Sequence, residues 1–170
     1  MKKIIVFGTS GHAKVIIDIL ENANIYSILG CIDDFKEKGK SFLGYKILGK
    51  TADIPDLIEK KDLFGGIIAI GDNWIRKEIR DKINSLAPSF VFVNAIHPSA
   101  QIAYNVKLGK GIAIMAGTVI NPNSIVKDHC IVNTNSSLDH DSIMEDFSSL
   151  APGVTTGGNV KIGEYSAISL

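Results

Sequence analysis

Residues 131–150 read IVNTNSSLDHDSIMEDFSSL, and the spacing of the aliphatic residues inside them decides the fold. Val132, Leu138, Met144 and Leu150 recur at every sixth position. Followed outward, the row runs without insertion from Ile96 to Ile168, through Ile114, Ile120, Val126 and Ile162, and Thr156 is its one polar member. Four places after each member stands a small or β-branched residue, among them Thr118, Ser124, Cys130, Ser136, Ser142 and Ser148. A six-residue period fits neither an α-helix nor a hairpin array. It fits a parallel β-helix in which each hexad forms one flat face and large side chains stack inside. Three faces close a turn, so residues 18 apart lie above one another at about 4.8 Å along the axis. The segment supplies about four such coils.

Upstream the pattern changes. KKIIVFGTSGHAKVIIDIL reads as a buried strand over residues 3–7, a glycine turn, and a helix carrying Val15, Ile16, Ile19 and Leu20. A second strand over residues 27–32 ends at Asp33 and Asp34. GGIIAIGDN supplies a third, followed by a helix over residues 74–83, and SFVFVNAI supplies the last. Strands alternating with helices make a small parallel sheet with helices on its faces. The chain therefore divides into an α/β unit over residues 1–94 and an all-β unit over residues 95–170.

Composition excludes several function classes. With 18 basic and 18 acidic residues and a pI near 6.9, the chain has no broad positive field for nucleic acid or an anionic membrane. Any anionic ligand must be bound locally. The apolar run after MKK is only IIVF, and no segment approaches the roughly 20 apolar residues of a membrane span. Cys31 and Cys130 form no CxxC pair and read as reduced core residues. A cytoplasmic protein without membrane insertion is the expectation.

Two stretches carry candidate chemistry. Gly8-Thr9-Ser10-Gly11-His12 bends tightly into a helix whose free N–H groups attract phosphate. A dinucleotide fingerprint wants G-x-G-x-x-G, which Ser10 and Ala13 do not supply. A turn serving only the fold and a site for a smaller phosphorylated or nucleotide-linked ligand both remain open. For the second, Ser10, Gly11 and His12 meet Asp33, Asp34 and Gly71 at the strand ends. Asp33 or Asp34 could accept from ribose or base, although paired aspartates also form turns.

The other stretch is Asp139-His140-Asp141. An imidazole titrates near neutral pH and can act as a general base, and a neighbouring carboxylate stabilises the imidazolium that forms. On composition alone the trio could equally be a solvated corner. His12, His97 and His129 do not converge with His140 at any spacing that would gather metal ligands, so no metal is expected.

The combination of IIVFGTSGHAKVIIDIL, CIDDF, AIGDNWIRKEI, the hexads and VNTNSSLDHDSIMEDFSSLAPG resembles bacterial sugar acetyltransferases of the left-handed β-helix (hexapeptide-repeat) superfamily. Within it the chain is similar to the UDP-N-acetylbacillosamine N-acetyltransferases and sialic acid O-acetyltransferases, which have a Rossmann-like N-terminal domain. The resemblance covers essentially the whole chain, and it alone supplies the left hand. It implies acetyl-CoA as co-substrate, a nucleotide-linked amino sugar held by residues 1–94, and a homotrimer with active sites between subunits. His140 takes the place of the general base and Asp141 of the acid that tunes it, while Asn133 and Asp139 match positions near the acceptor. Gly158, 18 residues after His140, matches the backbone amide at the acetyl group. Ser149 stands where relatives often have a histidine contacting coenzyme A. The resemblance also leads one to expect further coils and a capping tail beyond Leu170, hence a chain truncated at its C-terminus. O-acetylation of a sialic acid or similar sugar, and a non-catalytic sugar-nucleotide-binding subunit, are the two alternatives.

Overall fold

The computed structural model describes residues 1–169, folded as two compact units, Met1–Val93 and the residues from Asn94 on. The expectation of a truncated C-terminus turns on Leu170, which lies outside the described residues.

In the first unit, β1 (Lys2–Phe7), α1 (Gly11–Ala23) and β2 (Tyr26–Ile32) make the βα unit read from the sequence. β3 (Ser41–Phe42) and β4 (Tyr45–Gly49) form a hairpin, and α2 (Ile54–Lys61), β5 (Gly65–Ile68) and α3 (Asn73–Leu86) follow. The sheet order is β3-β4-β2-β1-β5, parallel throughout except for β3 against β4. Along β1 the side chains alternate. Ile5 and Phe7 join Ile32, Ile68, Ile83 and Phe90 in one apolar cluster, while Ile4 and Val6, equally buried, face the other way. On α1 the buried stripe is Ile16, Ile17, Ile19 and Leu20, and Val15 is exposed, because the helix turns its inner face one residue further round than the sequence reading placed it.

Two further differences from the sequence reading have physical causes. The hairpin and α2 went unread because residues 41–61 mix isolated aliphatics with glycine and lysine and hold no period over a full window. SFVFVNAI is not a strand of the first sheet along its length. It meets β5 in one parallel bridge, Gly66 with Phe92, closed by Gly66 N–H to Val91 O and Val93 N–H to Gly66 O, both 3.0 Å. A Cβ on Gly65 would lie 2.1 Å from Val91 O, so this close crossing needs the bare glycine. Ala95–Ile96 already belongs to the second unit.

That unit is a three-sided prism of two-residue strands. One face stacks Gln101–Ile102, Val119–Ile120 and Ser137–Leu138; the second runs from Lys107–Leu108 to Lys161–Ile162; the third from Ala95–Ile96 to Ala167–Ile168. Every pairing is parallel and joins residues 18 apart, as in Ile120 with Leu138 and Val126 with Met144. Ile114, Ile120, Val126, Val132, Leu138, Met144 and Leu150 are all fully buried along the axis. The second repeating position is buried too, and its hydroxyls satisfy corner carbonyls: Ser136 donates to Asn133 O (2.6 Å), Ser148 to Glu145 O (2.7 Å) and Ser124 to Asp139 O (2.9 Å). This explains serine rather than alanine there.

The corners share one backbone device. Every sixth residue from Asn105 to Tyr165 has a positive φ, from 54° at Asp141 to 71° at Gly153. Asn, Asp and Gly tolerate this left-handed region and hold most of these positions. Residues 18 apart at the corners stack in columns. One is Gly111, His129, Phe147 and Tyr165, in which the His129 and Phe147 rings lie 5.0 Å apart and nearly parallel. His129 is thus a packing residue in a ring stack. Another column is Asn105, Asn123, Asp141 and Asn159. No helix among the described residues is long and apolar enough to cross a membrane.

Candidate active site

Asp141 is the one acid in a column of asparagines, and His140 precedes it on the same corner. His140 Nδ1 lies 2.7 Å from Asp141 Oδ2. An ionised carboxylate only accepts, so Nδ1 carries a proton, and in the neutral ring it is Nε2 that keeps the lone pair. The ring is about half exposed, 53% for its side chain, so it can meet a ligand. Its pKa is raised above the ordinary 6.5, first by the bond to Asp141 and then by the charge of Asp139. Asp141 is correspondingly lowered by that bond and by Asn123. Asp139 is lowered by the His140 backbone N–H (2.8 Å) and by Asn121 Nδ2 (2.6 Å).

One coil further on, the floor of the site departs from the repeat. Thr156 breaks the aliphatic row, and the strand there shrinks to one bridge, Ser137 with Thr155. Its hydroxyl accepts from Asp139 N–H at 3.2 Å, which ties the irregular coil to the start of the trio. Gly158 follows. A Cβ built on it would lie 2.6 Å from His140 Cε1 and Nε2, so the imidazole rests on a bare glycine backbone. The only polar member of the inner row and the His140 corner are therefore parts of one feature.

The other residues expected at this site are placed differently. Asn133 sits at the preceding corner, where its Oδ1 accepts from Thr134 N–H at 2.8 Å. Ser149 lies on the third face of the prism, beyond Ile143–Met144, in the strand Ser149–Leu150 paired with Ile131–Val132 and Ala167–Ile168. Within one chain His140, Asp139, Asp141 and Gly158 come together, whereas Asn133 and Ser149 stand apart from them.

In the first unit a cleft of about 620 Å³ opens beyond the carboxyl ends of β1 and β2, lined by Thr9, Ser10, Asp33, Phe35, Lys36 and Lys82 among others. The chain leaves β1 to form β2 on one side and β5 on the other, so the cleft lies at the switch point where such sheets bind ligands. Asp33 and Asp34 both line it, but their oxygens are already engaged. Asp33 accepts from the Thr9 hydroxyl and from Phe35 and Lys36 N–H, forming the turn; Asp34 accepts from Thr51 N–H (2.6 Å) and Lys82 Nζ (2.7 Å). Ser10 caps α1 by position without a side-chain hydrogen bond. Gly11 and His12 begin α1 rather than lining the cleft, and His12 packs beside Gly71. Burial, with the Arg76 guanidinium nearby, holds His12 down at about 4, so it is neutral at pH 7. Asp72 and Asn73, at the third strand end, serve the fold: Asp72 caps α3 through Trp74 and Ile75 N–H, and Asn73 accepts from buried Arg76. Gly8 has φ 103°, and a Cβ there would meet Ile70 Cδ1 at 2.6 Å, so this glycine lets β1 approach the end of β5 rather than a ligand.

Sequence reasoning missed Asn121 and Asn123 at the His140 corner and Lys36, Lys82 and Phe35 at the cleft. The first two had a signal. Adding 18 to 140 finds Gly158; subtracting 18 from 139 and 141 finds the two asparagines.

Residues 3–83 match the family model described as the PglD N-terminal domain. The chain is 30% identical over 118 residues to UDP-N-acetylbacillosamine N-acetyltransferase of Bacillus subtilis (strain 168), covering 68% of this chain and 52% of that protein. The chain thus spans about half the length of this relative. Among solved structures, perosamine N-acetyltransferase from Caulobacter crescentus, a histidine-to-asparagine variant in complex with CoA and GDP-perosamine, superposes with a TM-score of 0.90. The two are 33% identical, over 98% of this chain and 77% of that one. The acetyltransferase domain of PglB from Neisseria gonorrhoeae FA1090, in complex with acetyl coenzyme A, gives a TM-score of 0.86 and 30% identity, over 98% and 78%. These likenesses set the hand of the prism: a left-handed β-helix following a Rossmann-like sheet, which is the class of hexapeptide-repeat acyltransferases. Within that class, the chain belongs to the sugar acetyltransferase family that carries the PglD N-terminal domain.

Proposed function

We propose that this chain transfers an acetyl group from acetyl-CoA to the amine of a nucleotide-linked amino sugar, with His140 as the general base. The observation that carries the reading is the His140 Nδ1 to Asp141 contact of 2.7 Å on a half-exposed corner, which leaves Nε2 as the proton acceptor. Acetyl-CoA supplies the acetyl group already activated as a thioester. The residues present fit such a donor, because a bare Gly158 backbone beside Nε2 leaves room that a Cβ would fill.

The chemistry asked of the protein is then small. As the amine nitrogen bonds to the thioester carbon and the carbon–sulfur bond breaks, the amine proton goes to Nε2 and the sulfur leaves as the thiolate, which then takes that proton from the imidazolium to become the thiol. Asp141 stabilises the imidazolium that results, and positioned proton transfer of this kind is worth roughly 10²- to 10⁴-fold. Asp139 and Asn133 orient the acceptor, and the Gly158 amide faces the thioester oxygen. Ser149, on the third face, contacts coenzyme A held in a groove against a second copy, which is why the active form is a homotrimer. The nucleotide occupies the cleft of the first unit, its phosphates near the start of α1, where Ser10 leaves the helical N–H groups without a side-chain cap. Of the residues expected to bind it, Ser10, Asp33 and Asp34 line that cleft, while Gly11 and His12 stand behind it at the start of α1, with Gly71 beside His12. Both cysteines are buried thiols, which suits the cytoplasm, where acetyl-CoA is found.

Thiol release from acetyl-CoA tests this, with UDP- and GDP-linked amino-dideoxy sugars and free sialic acid as acceptors. The account expects release with a nucleotide amino sugar and its loss in His140→Ala. Release with sialic acid alone would move the assignment to O-acetylation. No release with any acceptor, alongside retained sugar-nucleotide binding, would support a non-catalytic binding subunit.

A further inference from the structure

The trio Asp139-His140-Asp141 has an equally specific tripeptide above it. Subtracting one coil gives Asn121-Pro122-Asn123, and each asparagine addresses one carboxylate. Asn121 Nδ2 donates to Asp139 Oδ1 at 2.6 Å, the same oxygen that accepts His140 N–H. Asn123 Nδ2 donates to Asp141 Oδ1 at 3.3 Å, leaving Oδ2 for the imidazole. Pro122 O accepts Asp141 N–H at 3.1 Å, which fixes the corner between them. Asn123 is itself held from above, since Asn105 Nδ2 donates to its Oδ1 at 2.9 Å. An amide that accepts on one side and donates on the other has its orientation fixed, so the chain of bonds runs one way, from Asn105 through Asn123 to Asp141.

We propose that Asn121 and Asn123 are positioning residues for His140, holding the two flanking carboxylates so that one oxygen of Asp141 is always presented to Nδ1. The inference rests on the reading of His140 as the base, but it concerns the coil above and residues that touch neither the acceptor nor the thioester. The need is physical. Asp139 and Asp141 are solvent-accessible, and a surface carboxylate has several rotamers that would face water instead of the ring. A donor from the neighbouring coil removes that freedom. The left-handed corner serves the same end. Asn123 has φ 62° and Asp141 φ 54°, so the two side chains leave matching backbone conformations one coil apart.

The experiment is an NMR titration of the full chain with labelled histidine, the His140 signal being assigned by its loss in His140→Gln. Wild type, Asn123→Gly, Asn123→Asp and Asn121→Ala are compared. Glycine removes the side chain at no cost in a left-handed position. Freed of its donor, Asp141 turns to water, and the His140 midpoint in Asn123→Gly falls by roughly half a unit to one unit, the scale of one neutral hydrogen bond. In Asn123→Asp a second negative charge beside Asp141 moves the midpoint the other way, upward by a similar amount. Asn121→Ala lowers it through Asp139. In acetyl transfer by Asn123→Gly, kcat falls several-fold while KM for the sugar nucleotide is unchanged.

A purely structural role for the asparagines lowers the melting temperature without moving the midpoint. A midpoint in Asn123→Gly equal to wild type therefore overturns the proposal. Should Asn123→Gly fail to fold, Asn121→Ala decides it: a lowered midpoint supports the proposal and an unchanged one overturns it. Full activity in His140→Ala would instead sink the base reading while leaving the midpoint shifts in place, so the two failures are separable.

Discussion

The two units teach opposite lessons about how position in the chain becomes position in space. In the prism, every residue has its neighbours 18 places before and after, so Ile120 meets Leu138 and Asn123 meets Asp141 by arithmetic alone. In the α/β unit no such rule exists. Asp34 reaches Lys82, 48 residues away, and Thr9 reaches Asp33, 24 residues away. Both units place their candidate functional groups where regular structure ends, the prism at its corners and the sheet at its strand ends. Only in the prism does a regular backbone tell which side chains will meet there. The prism tolerates two exceptions here: an acid in the asparagine column of a corner, and on the face beside it Thr155–Thr156, reduced to one bridge in place of a full strand.

The stacking rule is the part of this contrast with the largest energy behind it. Ile120→Ala removes a fully buried side chain from the axis and should cost about 2–5 kcal/mol in denaturant unfolding. Combined with Leu138→Ala, its partner in the next coil, the loss should be non-additive by about 0.5–3 kcal/mol. Strict additivity would mean that the two share no cavity, which breaks the rule of neighbours 18 apart.

A smaller effect belongs to the floor of the site. In Gly158→Ala the added methyl would lie 2.6 Å from the imidazole, so the ring must move by about an ångström. Misplacement on that scale costs about 10²-fold in rate. The expected result is a loss in kcat with the melting temperature close to wild type. An unchanged rate would show that His140 is not used in the position it occupies here.

Smallest is a change in the other unit, at the cap of one helix. Asp72→Ala removes the cap that accepts Trp74 and Ile75 N–H, both at 2.9 Å, and should cost about 1 kcal/mol. A loss as large as that of Ile120→Ala would show that the α/β unit is as cooperatively coupled as the prism.

Much of this was legible in advance, and the reason lies in periodicity. The row from Ile96 to Ile168 declared three faces and the 18-residue step, and that step led from His140 to Gly158. The pairing of His140 with Asp141 rather than Asp139 was implied by the resemblance to the family, since the two acids are equally adjacent to the histidine in sequence. What was not legible depended on three-dimensional accidents that no spacing encodes. SFVFVNAI has the composition of a strand but crosses β5 at one bridge. Asp33 and Asp34 looked free for a ligand, yet a turn and a lysine from α3 use their oxygens. The hairpin at Ser41–Gly49 had too few residues per strand to show alternation. Asn121 and Asn123 were legible in principle, since the step that found Gly158 works in both directions.

The central claim is that a carboxylate-held imidazole takes the acceptor's proton, and the pH dependence of kcat/KM for acetyl transfer tests it most directly. The base works only when neutral, and Asp141 raises its pKa, so the rate should fall with decreasing pH through a midpoint above the ordinary histidine value of about 6.5. In Asp141→Asn that acid limb should move to lower pH, together with a reduced plateau. A wild-type limb at or below 6.5, or one that stays put in Asp141→Asn, would contradict the account.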